Sequence, residues 1–131
     1  METLFDHERL EVYRVARQFN RELHHLLDTL PRGHADSKNQ LKRAGKSVTR
    51  NLAEGSGKWT LKDKIHYYHI ARGSATECAA ELDSLTDYGA LNEAQARPVK
   101  RLLSRIVAML VRMIRSLEER QGPDMGASAS A

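Results

Sequence analysis

Val12, Ala16, Phe19, Leu23, Leu26 and Leu30 recur at alternating intervals of four and three, the spacing that lines one side of an α-helix. The pattern predicts a first helix beginning near Asp6, a candidate N-cap, and stopping before Pro31. After the loop 31–35, Asp36 or Ser37 can cap a second helix, with Gln40 three residues beyond Ser37 as the reciprocal partner. Its seam is Leu41, Ala44, Val48 and Leu52, and Gly55 is placed to end it. Thr60 with Asp63 opens a third helix, which carries Leu61, Ile65, Tyr68, Ala71, Ala75, Cys78, Leu82 and Leu85 on one side and ends at Gly89. Asn92 with Gln95 starts a fourth, with Val99, Leu102, Ile106, Leu110, Met113 and Leu117 in register. Pro98 predicts a short helical piece followed by a bend, and Gly122-Pro123 closes the helix.

Four amphipathic helices on short connections predict an all-α fold, an antiparallel up-down-up-down four-helix bundle over residues 1–121. Residues 122–131 are dominated by Ser, Ala and Gly, a composition that predicts a disordered C-terminal tail. A chain of 131 residues suits one domain with a real core. Aromatics make up only 5%, which disfavours a sandwich or barrel. Leu103, Val107, Met109, Val111 and Ile114 make the fourth helix apolar over a wider arc than one seam needs, which points either to packing within the chain or to self-association.

Charge changes this picture because it is segregated. The formal sum is +4, with a pI near 9.4. From Lys38 to Lys64 there are eight basic and two acidic residues, and from Arg97 to Arg120 seven and two. Between His66 and Tyr88, Arg72 alone stands against Glu77, Glu81, Asp83 and Asp87. Lys38, Lys42, Lys46 and Arg50 follow at intervals of four, a positive ridge along the second helix with Arg43 beside it. Lys58, Lys62 and Lys64 extend it, and Trp59 stands among them, as a stacking surface for a base or as an apolar plug over the bundle end. Arg97, Arg101 and Arg105 form a second ridge on the fourth helix. Either ridge can be an ordinary solvated face or a track for phosphates. The partner expected on this basis is nucleic acid.

Two segments place polar groups beside core positions. These are Asn51-Leu52-Ala53-Glu54-Gly55-Ser56-Gly57 and Ala71-Arg72-Gly73-Ser74-Ala75-Thr76-Glu77. Polar groups belong there when they satisfy one another, so Asn51, Glu54, Arg72, Ser74 and Glu77 are expected to form one network across the second hairpin. That network either pins two helices together or lines a pocket. Mid-helix Gly73 is expected to admit a close neighbour. With Gln40-Leu41-Lys42-Arg43-Ala44 and Ser47-Val48, the two segments resemble the four-helix-bundle family that includes proteins encoded by intervening sequences within bacterial large-subunit ribosomal RNA genes. The resemblance spans roughly Leu10 to Leu91. It implies a homopentamer and makes RNA the preferred nucleic acid. It also implies an alternative partner, since related bundles serve as accessory proteins of diversity-generating reverse transcriptases. Lys46, Arg50 and Ala75-Thr76 depart from the usual family pattern.

Catalytic chemistry finds little support. Cys78 falls on an apolar seam, as a small core residue does. Gly55-Ser56-Gly57-Lys58 resembles part of a phosphate loop but lacks a preceding strand, and Trp59 occupies the Ser or Thr position. Glu22 with His25 and Asp63 with His66 have the spacing of di-metal bundle ligands, yet both pairs lie beside the seams, so no metal and no cofactor is expected. The expectation is a non-enzymatic protein. Residues 1–8 lack the basic start and apolar run of a signal peptide. Charged residues interrupt every apolar run, so a cytoplasmic protein outside the membrane is expected.

Overall fold

The computed structural model describes residues 2–122, and the expected tail from Pro123 onward lies outside them. A short 3-10 turn, Asp6–Arg9, leads into α1 (Glu11–Leu27), α2 (Ala35–Ser56), α3 (Leu61–Asp87) and α4 (Glu93–Gln121). No strand occurs among the described residues. The fold is an all-α four-helix bundle. Each helix packs on two others: α1 on α2 and α4, α3 on α2 and α4. The diagonal pairs α1/α3 and α2/α4 bring no Cα atoms within 8 Å of each other among the described residues. Ser47 meets Ser74, while Gly55, two turns later on α2, meets Tyr68, six residues earlier on α3, so α2 and α3 run in opposite directions.

The core follows the predicted seams, with Leu26, Leu61, Ile65 and Met113 half-buried against it. In α1 it is Leu27 that is buried and Leu26 that is half-buried. At about 100° per residue, Leu27 lies roughly 40° from buried Leu23 and Leu26 roughly 60° on the other side, so Leu27 stays nearer to the Leu23 direction. Thr60 caps α3 by accepting the Asp63 N–H at 3.1 Å. Asn92 and Gln95 form the full reciprocal cap of α4. Other boundaries differ from expectation. Asp6 opens the 3-10 turn, and the N-cap of α1 is Leu10, which has no side-chain cap. The second helix begins at Ala35, ahead of Ser37, and passes through Gly55 to Gly57. The last helix runs unbroken through Pro98, whose missing N–H falls in the second turn.

Two glycines set the spacing of α2 from its neighbours. A Cβ on Gly45 would overlap Asn20 Oδ1, and the Asn20 amide donates to the Gly45 carbonyl at 3.1 Å. A Cβ on Gly55 would lie 2.6 Å from Cε1 of buried Tyr68. Gly73, where the sequence suggests a close neighbour, has open space around it. Ala at Gly55 is therefore expected to destabilise by about 1–3 kcal/mol through overpacking, although Ala is the better helix former. At Gly73 the same change is expected to stabilise by about 0.5–1 kcal/mol. Urea denaturation of the two variants measures both, and the opposite signs are the critical feature.

Candidate nucleic-acid interface

The α2–α3 contact is the most extensive in the bundle, and the expected polar network lies there in a smaller form. Asn51 and Ser74 are its buried members. Asn51 Nδ2 donates to the Ser47 carbonyl at 2.8 Å and to Ser47 Oγ at 3.1 Å, and Ser47 Oγ lies 2.7 Å from Ser74 Oγ. Glu54, Arg72 and Glu77 are exposed and take no part. Helical rotation explains the correction. Arg72 is two residues, roughly 200°, from Ser74, and Glu54 is turned past the α3 contact into solvent, where it lies 3.8 Å from Lys58. Ser47, one turn before Asn51, was the missing member. No buried side-chain polar atom among the described residues lacks a partner.

The cations divide into two separate surfaces. Lys42, Arg43, Lys46 and Arg50 are exposed along α2, with Lys38 half-buried at its start. Where α1 and α2 meet at Asn20 and Gly45, Arg17 and Arg21 flank Asn20 just as Lys42 and Lys46 flank Gly45, three residues before and one after. Both pairs therefore project from the same outer side of the α1–α2 contact. Arg14, Arg17 and Arg21 share a cleft of about 400 Å³ with Tyr13, Glu2 and Glu8. None of Arg14, Arg17, Arg21, Lys42, Lys46 and Arg50 is in an ion pair among the described residues. The result is one broad basic face made by two antiparallel helices. The three α1 arginines were missed in the sequence because Glu8, Glu11 and Glu22 dilute the local charge; their spacing of three and four was the available signal.

The other ridge is elsewhere. Arg97 and Arg101 are exposed on α4, the helix diagonal to α2, and Arg105 lies 3.5 Å from Glu11 of α1. Lys58, Trp59 and Lys62 lie at the α2–α3 connection, beside the Arg50 end of the α1–α2 face. Trp59 is 98% exposed and covers nothing, so the plug reading is wrong. Lys64 donates to the carbonyls of Gly55 and Ser56 at 3.3 and 2.9 Å and closes the end of α2.

Burial, with a smaller contribution from Glu77, pushes the Cys78 thiol up to about 12, which leaves it protonated and unreactive. Burial also raises Tyr68. Lys100 is raised by its 2.6 Å hydrogen bond to Asp83, an exposed α3–α4 pair. His25, Asp63 and His66 are exposed and Glu22 is half-buried. The described residues contain no group of three or more His, Cys, Asp or Glu arranged to hold a metal ion. None of their helices is long and apolar enough to cross a membrane.

The comparisons with known proteins agree with this architecture. The model of the 23S rRNA-intervening sequence protein family matches residues 8–112. The chain belongs to that family. A crystal structure of a protein of unknown function from the S23 ribosomal protein family of Bacteroides thetaiotaomicron VPI-5482 is similar, with a TM-score of 0.71 and 19% identity. The match covers 79% of this chain and 97% of that one, and supports the fold. No curated protein matches. Family membership thus agrees with the bundle.

Removing the Asn51 side chain takes its donor from Ser47 and leaves a void, so Asn51→Ala is expected to cost about 1–3 kcal/mol. Glu54→Ala and Arg72→Ala are expected to stay within about 0.5 kcal/mol of the parent. Thermal melts of the three variants provide the comparison.

Proposed function

We propose that this protein is a non-enzymatic, self-associating bundle that binds RNA through the α1–α2 face. The observation that carries the reading is the run of six exposed cations, Arg14, Arg17, Arg21, Lys42, Lys46 and Arg50, without an ion-paired carboxylate among the described residues. Like charges at this spacing repel by a few tenths of a kcal/mol per pair, a cost that phosphates remove. Binding of this kind releases counterions and reads the polymer by charge and shape. RNA is preferred over DNA because the family is defined by proteins of 23S rRNA intervening sequences. The α4 ridge is the lesser contributor in one chain, since it faces away and Arg105 is engaged by Glu11.

Support for self-association comes from α4. Leu103, Met109 and Ile114 are consumed by the chain's own core, which leaves Val107 and Val111 half-exposed. These are the apolar positions available to a second copy. Sedimentation equilibrium at tens of micromolar is expected to give a multiple of the 14.8 kDa chain mass; a single-chain mass would remove this part of the proposal.

The binding test neutralises four of the cations. The variant Arg17→Gln/Arg21→Gln/Lys42→Gln/Lys46→Gln is expected to bind a structured ribosomal RNA fragment more weakly, with little change in melting temperature. Its slope of log affinity against log salt is expected to be shallower by roughly 3, at about 0.7–0.9 per lost phosphate contact. Arg97→Gln/Arg101→Gln is the comparison and is expected to change both quantities less. Fluorescence anisotropy at several salt concentrations supplies the numbers. The opposite ranking would move the site to α4, and no binding at low salt would favour a protein partner such as a reverse transcriptase.

A further inference from the structure

We infer that the α2–α3 end of the bundle is a stacking platform for unpaired nucleobases, with Trp59 and Phe5 as its aromatic surfaces. The inference rests on the RNA-binding reading and extends it to a substrate class, single-stranded segments. An indole that is 98% exposed forgoes the burial that usually makes tryptophan stabilising. Its position is nevertheless held from both sides. On the α2 side, the Lys64 ammonium closes the helix end at Gly55 and Ser56. On the α3 side, Thr60, next to Trp59, is fixed as the cap that accepts from Asp63. The connection is therefore a short, anchored turn that presents the ring to solvent.

Phe5 is the second exposed aromatic at this end, 63% exposed. Its ring stacks on His7 at 5.7 Å, His7 leans on Tyr13 at 4.6 Å, and the Glu8 carboxylate accepts the Phe5 N–H at 3.2 Å. With Asp6, Arg50, Glu54 and Lys58, Phe5 borders a cleft of about 410 Å³. Cations occur at this end: Arg50 ends the α2 ridge, Lys58 lies over the Tyr67 ring at 5.1 Å and 3.8 Å from Glu54, and Lys62 is exposed in the first turn of α3. Aromatic rings interleaved with lysine and arginine bind single strands, because each base offers a face to stack and each phosphate a charge to neutralise. The α1–α2 face leads to this end through Arg14 and Arg50, so a strand following the basic face arrives at the rings. Duplex RNA keeps its bases stacked inside and gains only from the charges.

Trp59 is the only tryptophan of the chain, and its emission reports directly on stacking. The full-length protein is titrated with an oligouridylate of about 15 nucleotides, with a duplex of the same length and with linear polyphosphate, while anisotropy follows binding independently. Quenching by the single strand, with little change from duplex or polyphosphate, is the expected result. Trp59→Ala and Phe5→Ala are each expected to weaken single-strand binding by about tenfold or more and to leave duplex and polyphosphate affinity near the parent's. Trp59→Phe is expected to retain most of it. Saturating single-strand binding with unchanged emission would overturn the platform while leaving the RNA-binding reading in place. No binding of either RNA would defeat that reading and the platform with it. An emission shift on concentrating the protein without RNA would assign the indole to a contact between copies and overturn the inference.

Discussion

Helix α2 can serve two partners at once because it has no side chain at the two points where they come nearest. Gly45 admits Asn20 of α1, and Gly55 admits Tyr68 of α3. Both the polar knot and the basic face depend on these approaches. The Ser47–Ser74 hydrogen bond closes only when α3 is near enough for two hydroxyls to meet at 2.7 Å. The α1 arginines and α2 lysines become one surface only when Asn20 seats against Gly45. Interior packing tolerates little adjustment, so the distance set at the glycines is passed to the outer faces of the same helices.

The pattern of apolar residues was sufficient to locate four helices, nearly all of the core and the caps at Thr60 and Asn92. These are short-range properties, legible in spacings of three, four and seven and in one hydrogen bond per cap. What failed to show in the sequence was the direction of polar groups near a seam. Asn51 and Glu54 are three residues apart and look equally close to the core, yet only Asn51 is buried. A carboxylate carries a larger desolvation cost than an amide, which is the physical reason the small uncharged groups entered and the charged ones stayed outside. Gly73 misled in the same way. A mid-helix glycine implies a close neighbour only if its face points inward, and the face is set by partners distant in sequence.

The candidate surface was half legible. The α2 ridge stood out because four cations repeat at one interval without acids between them, whereas Arg14, Arg17 and Arg21 share their stretch with Glu8, Glu11 and Glu22. Folding separates what the sequence mixes: Glu11 turns toward α4 and engages Arg105, and the arginines turn toward α2. Trp59 was ambiguous for a related reason, because a tryptophan in a connection can fold over a bundle end or stand away from it. The anchors on both sides of the turn hold it away.

The placement of charge by helix has a kinetic meaning. Formal charge is positive on α2 and α4, weakly positive on α1 and negative on α3, where Glu77, Glu81, Asp83 and Asp87 lie, so the bundle is electrically lopsided away from α3. An anionic polymer exerts a torque on such a body as well as a pull, turning α3 away from it before contact. At physiological salt this reaches only about 8 Å from the surface, so orientation is selected in the last moments of approach. A bundle with the same net charge spread evenly over its four helices would collide as often but dock less often per collision.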